Sequence, residues 1–286
     1  MKALAFGEVL WDIFENDKHI GGAPLNFCAH FKKCGGESWI LTAVGNDQLG
    51  KETVCEIEKL GVDTSLVSTV PYQTGKCLVT LNEQCIPFYD LLSDVAYDYI
   101  QRPSITSGFF DILYFGTLAL RSENNLKVLK EIVLNNTFKE VFVDLNIRSP
   151  FYSEQNVKFA FENATILKVS DEELPTVMDV LKSPMFSLED SAKMLYEAFP
   201  NLKMIIITQG GEGSLVFDCE SNEFYKAKAN DVKVVSTVGA GDSFSASFLA
   251  VFLKSGDIQK ALEFATEISG YVVSCEEAIP HYEFKF

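Results

Sequence analysis

Short apolar runs alternate with amphipathic helical patterns along most of the 286 residues, and this alternation constrains the fold more than any other feature. The clearest apolar runs are KALAF, SWILTAV, DILYFG, EVFVDL, ATILKV, KMIIIT and GSLVF. The helical patterns cover residues 24–33, 48–60, 123–135, 188–199 and 242–254. Strands that alternate with helices pair in parallel, so the pattern predicts an α/β fold with a mostly parallel central sheet flanked by helices.

The stretch from about residue 62 to residue 96 breaks this alternation. Its apolar runs, SLVSTV, KCLVTL and CIPFYDL, follow one another with no helical pattern between them. We predict a small antiparallel accessory sheet there, completed by residues 13–20. A meander at the edge of the main sheet explains the same pattern, and the residues alone leave both interpretations open.

Composition excludes several classes of function. The formal net charge is -16, which argues against a nucleic-acid binder because such affinity depends on Lys and Arg. Small anionic ligands need only local positive potential and stay possible. The seven cysteines include no CxxC pair and there are three histidines, so we expect reduced thiols and no structural zinc site.

The N-terminal apolar run is short and is interrupted by Gly7, Glu8 and Asp12, so it predicts a first strand and no signal peptide. No apolar run is long enough to span a membrane. We therefore expect no membrane partner and a cytoplasmic protein.

Polar residues follow the ends of five predicted strands. They are Gly45, Asn46 and Asp47; Gly116 and Thr117; Asp144, Asn146 and Arg148; Lys168, Ser170 and Glu173; and Thr208, Gly210, Gly211 and Gly213. Ligands of open α/β folds bind outside the carboxyl ends of the strands. The series therefore predicts a polar crevice that contains both signs of charge.

The sequence STVGAGDSF, from Ser236 to Phe244, leads into a predicted helix. The first N–H groups of a helix lack intrahelical partners, and Gly239 and Gly241 let an anion approach them closely. Asp242 then has two interpretations. It stabilises the helix start, or it is a general base beside an anion hole, the combination that phosphoryl transfer from ATP requires. The chain contains neither GxxxxGK[ST] nor GxGxxG.

The chain resembles the ribokinase-like (PfkB) carbohydrate kinases over nearly its whole length, and within them the bacterial fructokinases. The resemblance rests on GEVLWDIF (7–14), GGAPLNF (21–27), GNDQLGKE (45–52), FGTLALRSE (115–123), DLNIRSPFY (144–152), KVSDEE (168–173), ITQGGEGS (207–214) and TVGAGDSFSASF (237–248). It implies a single ribokinase-like domain over residues 1–286.

The resemblance also implies roles for individual residues. Asp242 matches the catalytic base, and Gly239, Ala240 and Gly241 match the anion hole, with Arg148 as a further catalytic cation. The sugar contacts fall on Asp12, Gly21, Gly22, Asn26, Phe88 and Asp242. The ATP contacts fall on Lys168, Ser170, Thr208, Gly210, Gly213, Gly239 and Gly241.

Each of these positions also has a purely structural interpretation. Asn26 and the two glycines before it suit a helix entry with Pro24 near its start. Arg148 and Lys168 are residue types that usually lie in solvent. The sequence TQGGEG suits an ordinary turn.

By the same resemblance, Glu173 holds Mg2+ through water. The accessory strands, about residues 13–20 and 62–96, match a lid that closes over the sugar and pairs two subunits into a homodimer. Closure excludes water, so that the sugar hydroxyl attacks ATP.

Three departures from the family pattern are visible. Ser236 and Val238 stand where the family has Asp and Thr near a monovalent-cation site, so a hard cation loses oxygen ligands. Ser170 replaces the Asn of Asn-x-x-Glu. Glu276 and Glu277 precede Ala278, where a Gly or basic residue is common. We therefore expect Mg2+-dependent activity with a weak or absent K+ response.

The predicted function is an ATP-dependent sugar kinase that converts fructose to fructose 6-phosphate. Another ketose, 2-keto-3-deoxygluconate or a nucleoside is an alternative acceptor. A catalytically weak family member that binds sugar or nucleotide is the alternative from a different class of function.

Overall fold

The computed structural model describes residues 1–15, 17–81, 87–105 and 107–283, except the side chains of residues 81 and 87–89. In chain order the strands are β1 (Lys2–Phe6), β2 (Leu10–Ile13), β3 (Lys18–Gly21), β4 (Glu37–Gly45), β5 (Val67–Val70), β6 (Gly75–Leu81), β7 (Pro87–Leu91), β8 (Ile112–Phe115), β9 (Glu140–Asp144), β10 (Ile166–Ser170), β11 (Met204–Thr208), β12 (Ser214–Asp218) and β13 (Glu223–Ala227). The helices are α1 (Ala23–Lys33), α2 (Gln48–Lys59), α3 (Glu123–Asn135), α4 (Glu154–Asn163), α5 (Leu174–Leu181), α6 (Leu188–Ala198), α7 (Ala240–Ser255) and α8 (Ile258–Val273).

The central sheet has the order β13-β12-β11-β10-β9-β8-β1-β4-β5. Its strands are parallel from β11 to β5, and β12 and β13 are antiparallel additions at one edge. Helices cover both faces, and the two faces carry the two largest clusters of buried apolar residues. The predicted α/β fold with a mostly parallel sheet flanked by helices is confirmed.

A second, four-stranded sheet has the order β3-β2-β6-β7. Strands β2 and β3 are antiparallel, as are β6 and β7, whereas β2 and β6 run parallel. The prediction of a small second sheet is confirmed, but its predicted antiparallel pairing throughout is wrong, because β2 and β6 run parallel.

One strand of the predicted accessory sheet belongs elsewhere. The run SLVSTV forms β5, which pairs in parallel with β4, with Thr42 opposite Val67. Its assignment to the accessory sheet is wrong, because helix α2 precedes it and makes the crossover that a parallel strand requires. Residues 85 and 86, the start of the predicted run CIPFYDL, lie outside the described residues.

Helix α7 lies at the centre of one face of the sheet. All residues from Ser243 to Val251 are buried, and α7 packs against both α1 and α8. This burial fixes the start of α7 beside the carboxyl ends of β9 and β10, where Asp144 pairs with Lys168. Among the residues that the structure describes, no helix is long and apolar enough to cross a membrane.

Candidate active site

The start of α7 presents free backbone donors. Gly239 precedes the helix with φ +79°, and a Cβ built on it would lie 2.6 Å from the carbonyl oxygen of Ala278. Within the described residues, the N–H groups of Gly239, Gly241 and Asp242 donate to no hydrogen-bond acceptor. Their partial positive charge suits an anionic oxygen, as the sequence predicts.

Asp242 is half-buried, and Asn26 Nδ2 donates a hydrogen bond of 2.8 Å to its Oδ2. Desolvation, aided by the charge of Asp144, raises the pKa of Asp242 to about 6, while Asn26, Lys168 and Arg148 act in the opposite direction. The carboxyl is therefore mostly ionised at neutral pH and close to the pKa that suits a general base.

A buried ion pair lies beside the first backbone donors of α7. Lys168 Nζ donates to Asp144 Oδ2 at 2.8 Å, and Ser245 Oγ donates to the same oxygen at 2.9 Å. A Cβ on Gly241 would lie 3.2 Å from Lys168 Nζ, so the ammonium borders the backbone donors. Burial lowers the pKa of Lys168, but Asp144 outweighs it and the net shift is upward, which keeps the lysine charged. A solvent-exposed role for Lys168 is therefore wrong.

The predicted sugar contacts surround the entry to α1. A Cβ on Gly21 would lie 3.4 Å from Asp12 Oδ2. Gly22 has φ +113°, and a Cβ built on it would clash with the carbonyl oxygen of Glu8 at 2.5 Å. Burial raises the pKa of Asp12, opposed by Cys77, His19 and Arg148. The glycines thus allow α1 to begin close to this carboxylate.

Glu8 is a buried carboxyl that the sequence analysis did not assign to the site. Burial raises its pKa to about 7; backbone N–H groups oppose the shift and Asp242 adds to it. Arg148 is exposed, and its charge lowers the pKa of Glu8, Asp12 and Asp242. The exposed guanidinium of Arg148 is therefore close enough to all three carboxyl groups to favour their ionised forms.

The predicted nucleotide loop follows β11. Gln209 N donates to Gly213 O at 2.8 Å, and Gly213, at φ +118°, leaves no space for a Cβ, which would lie 2.1 Å from Ala227 O. Thr208 pairs with Ser170 across the two strand ends, and Gly210 is exposed. The chain therefore makes a tight turn after β11, in which Gly210 is exposed and Gly213 is buried.

Glu173 already accepts two backbone hydrogen bonds. Ile147 N donates to its Oε1 at 2.5 Å, and Ser170 N donates to its Oε2 at 2.8 Å. In the described part of the chain, no group of three or more His, Cys, Asp or Glu residues is arranged to hold a metal ion. Both oxygens of Glu173 already accept a hydrogen bond, so this single carboxylate suits contact with Mg2+ through a bridging water. Mg2+ commonly takes its inner ligands from phosphates and water.

Ser236 and Val238, which differ from the family pattern near its cation site, contact each other. Ser236 Oγ accepts a 3.3 Å hydrogen bond from Val238 N, and Val238 is exposed. Phe88 lies on β7, and its side chain is outside the described part of the chain.

Three participants in the site carried weak sequence signals. Glu8 is a charged residue inside an apolar run, and Asp144 is one of several polar residues at strand ends. Ser245 is an ordinary helix residue, and only the packing of α7 on the sheet reveals its bond to Asp144.

A known protein family matches almost the whole chain. The family model described as pfkB family carbohydrate kinase matches residues 2–284. The chain is 27% identical over 299 residues to 5-dehydro-2-deoxygluconokinase from Halalkalibacterium halodurans, covering 99% of this chain and 89% of that protein. It is 26% identical over 290 residues to ATP-dependent 6-phosphofructokinase from Thermoanaerobacterium thermosaccharolyticum, covering 94% and 86%.

A solved structure shares the fold. Fructokinase from Vibrio cholerae O395, crystallised with fructose, ADP and calcium ion, superposes with a TM-score of 0.82 at 21% identity, covering 97% of this chain and 94% of that one.

Proposed function

Because the chain belongs to the pfkB family of carbohydrate kinases, we propose that it transfers the γ-phosphoryl group of ATP to a hydroxyl of a neutral sugar, with fructose as the first candidate and fructose 6-phosphate as its product. The observation that carries the proposal is the position of Asp242. Its carboxylate stands beside backbone N–H groups that have no acceptor among the described residues.

Each residue then has a defined task. Asp242 accepts the proton of the attacking sugar hydroxyl, and Asn26 fixes the carboxylate through its 2.8 Å hydrogen bond. The N–H groups of Gly239 and Gly241 stabilise negative charge on the transferred phosphoryl oxygens. Lys168 adds a buried positive charge beside them, shared with Asp144.

The nucleotide side is assigned in the same way. Thr208, Gly210 and Gly213 border the phosphates of ATP, and Ser170 lies next to them at the end of β10. Glu173 would hold Mg2+ through water, and the ion would neutralise phosphate charge during transfer.

The charges of the crevice favour a neutral acceptor. Asp12 and Asp242 raise the local negative charge, and Glu8 adds to it only as the pH rises above its pKa of about 7. The charge of the exposed Arg148 acts on all three carboxyl groups. Lys168 is paired with Asp144, and Arg121 is paired with Asp98. A carboxylate or phosphate on the acceptor would therefore meet repulsion that a neutral ketose avoids.

The charge of each candidate acceptor sets its rank. The relatives described above are named for an acidic sugar and for a phosphorylated one. Fructose, another ketose or a nucleoside carries no charge, whereas 2-keto-3-deoxygluconate does. We therefore place the neutral compounds first and fructose first among them.

A coupled ADP-release assay tests the proposal directly. The panel comprises fructose, other ketoses, a nucleoside, 2-keto-3-deoxygluconate, 5-dehydro-2-deoxygluconate and fructose 6-phosphate, with Mg2+ present. We expect the highest kcat/KM for a neutral compound and at most a weak response to K+. An anionic sugar as best substrate would contradict the charge argument, and binding without turnover would favour the binding-protein alternative.

Three further assignments remain predictions. We propose that residues 1–286 form a single domain, with β2, β3, β6 and β7 as a lid over the sugar. We propose a homodimer formed through this lid. We also propose a cytoplasmic location.

A further inference from the structure

The segment after α8 returns to the start of α7. Residues 278–282, called the strap here, contact helix α1 through two side chains: His30 bonds to Ala278 and Tyr282, and Lys33 Nζ donates to Pro280 O at 2.8 Å. None of these residues was assigned a role in the sequence analysis.

His30 is fully buried and bonds through both ring nitrogens. Its Nε2 lies 2.9 Å from Ala278 O, and its Nδ1 lies 2.6 Å from Tyr282 Oη. A carbonyl oxygen can only accept, so Nε2 carries the hydrogen and Nδ1 accepts from the tyrosine hydroxyl. Burial lowers the pKa of His30 to about 4, which keeps the ring neutral at pH 7 in this tautomer.

The carbonyl that His30 holds is also the one that confines Gly239. A Cβ on Gly239 would lie 2.6 Å from Ala278 O and 2.9 Å from Ala278 Cβ, so the two backbones are in close contact. Gly239 keeps φ at +79° and begins the anion hole. The position of Ala278 therefore limits where the first backbone donor can lie.

Helix α1 reaches the site twice from one face. Asn26 and His30 are four residues apart and so lie on the same side of the helix. Asn26 holds the carboxylate of Asp242, and His30 holds the strap against Gly239. One buried helix face thus fixes both the base and the backbone donors.

We propose that His30 is a positioning residue for phosphoryl transfer, acting through the strap on the backbone of Gly239 and the anion hole. This inference rests on the proposed function for its kinetic effect. The positioning itself has a structural readout that does not require turnover.

Kinetics of substituted proteins test the effect on catalysis. We expect His30→Ala to lower kcat about 10-fold and to change the sugar KM by less than about 2-fold. This loss is smaller than the roughly 100- to 1,000-fold loss that follows removal of an oxyanion-hole donor, because the substitution only displaces the donor. His30→Gln retains an amide donor for Ala278 O, and we expect kcat within about 3-fold of the original chain. Tyr282→Phe removes the hydroxyl that donates to Nδ1 and should resemble His30→Gln.

Asn201→Ala is the matched control. Asn201 Nδ2 donates to the backbone carbonyls of Phe161 and Ala164, on the opposite face of the sheet. Its loss removes two hydrogen bonds to carbonyls, as His30→Ala removes two hydrogen bonds, but leaves the strap intact. We expect a lower Tm and an unchanged kcat.

Hydrogen exchange decides the inference independently of activity. Ser243 N donates to Gly239 O at 2.9 Å, so protection of this amide reports the position of Gly239. We expect faster exchange at Ser243 in His30→Ala and unchanged exchange in Asn201→Ala. Equal exchange in the two proteins, or a kcat for His30→Ala equal to that of the control, would overturn the proposal. If the original chain phosphorylates no sugar, the proposed function fails and the exchange result alone decides the role of His30.

Discussion

At the scale of single residues, the site depends on how carboxyl groups share one crevice. Asp242 was predicted from its place after Gly241, but its bond to Asn26 joins residues that are 216 positions apart. The sequence motifs predicted a role for Asn26 and for Asp242, but not the hydrogen bond between them. The pKa of each carboxyl depends on burial and neighbouring charges, which only the folded chain defines.

The pH dependence of turnover follows from Asp242. Its pKa of about 6 predicts that kcat/KM falls as the pH drops through 6, because the base becomes protonated. Asn26→Ala removes a hydrogen bond that lowers this pKa, so the acidic limb should move to higher pH. A pH-rate profile measures both effects, and an unmoved limb would argue against Asp242 as the titrating group.

Glu8 makes a separate prediction about stability. Its folded-state pKa of about 7 exceeds the ordinary value of 4.5, so the folded state binds the proton more tightly than the unfolded state. The free energy of unfolding should therefore fall as the pH rises from about 4.5 to 7, by on the order of 3 kcal/mol from this group. Glu8→Gln should remove that fall and be the more stable protein at pH 8.

Denaturant unfolding of both proteins at pH 4.5 and pH 8 gives the comparison. Because other groups titrate in both chains, the difference between the two proteins isolates Glu8. A difference that does not change with pH would contradict the assignment.

At the scale of elements, local patterns predicted most strands and helices but not every neighbour. The start of α7 was predicted at Asp242 and lies at Ala240, because Gly239 adopts a left-handed conformation and ends the preceding turn. β5 was misassigned because its short apolar run resembles the β6 run, although the helix predicted before it supplies the crossover to a parallel strand beside β4. Helices α4, α5 and α8 were not predicted.

The two ends of α7 provide a matched pair of glycines. Gly239 has φ +79° and contacts Ala278, whereas Gly256 has φ +70° and would place a Cβ in open space. An alanine at either position costs about 1–2 kcal/mol of backbone strain. We expect both substitutions to lower Tm and only Gly239→Ala to reduce kcat, by about 100-fold through displacement of a backbone donor. If Gly239→Ala and Gly256→Ala have equal kcat, the assignment of Gly239 to the anion hole is wrong.

At the scale of the whole molecule, motif order predicted a polar crevice, and the parallel sheet explains why distant motifs meet there. Strands β9, β10 and β11 end at one edge, which brings Asp144, Lys168 and Thr208 together. The homodimer was predicted only through the family resemblance, because the contacts between two chains are not encoded in the strand-end motifs of one chain.

The proposed homodimer has a direct test. Leu78 on β6 is 37% exposed, and Phe14, which follows β2, is 38% exposed. If the lid faces pair, Leu78→Asp places a charge in an apolar interface and should yield a monomer by light scattering. Leu134→Asp, at an exposed position on α3, is the control and should leave the mass unchanged. If the unsubstituted protein has the mass of a monomer by light scattering, the proposed homodimer is wrong.

The central claim is that Asp242 is the base of a sugar kinase, and one substitution tests it most directly. Asp242→Asn keeps an oxygen that accepts from Asn26 but cannot take a proton, whereas Asp257→Asn changes another carboxylate at a helix start, that of α8. In the ADP-release assay with the best acceptor sugar, we predict that Asp242→Asn lowers kcat by about 100- to 10,000-fold with little change in sugar binding, while Asp257→Asn stays at the original rate. Near-original turnover by Asp242→Asn would contradict the account.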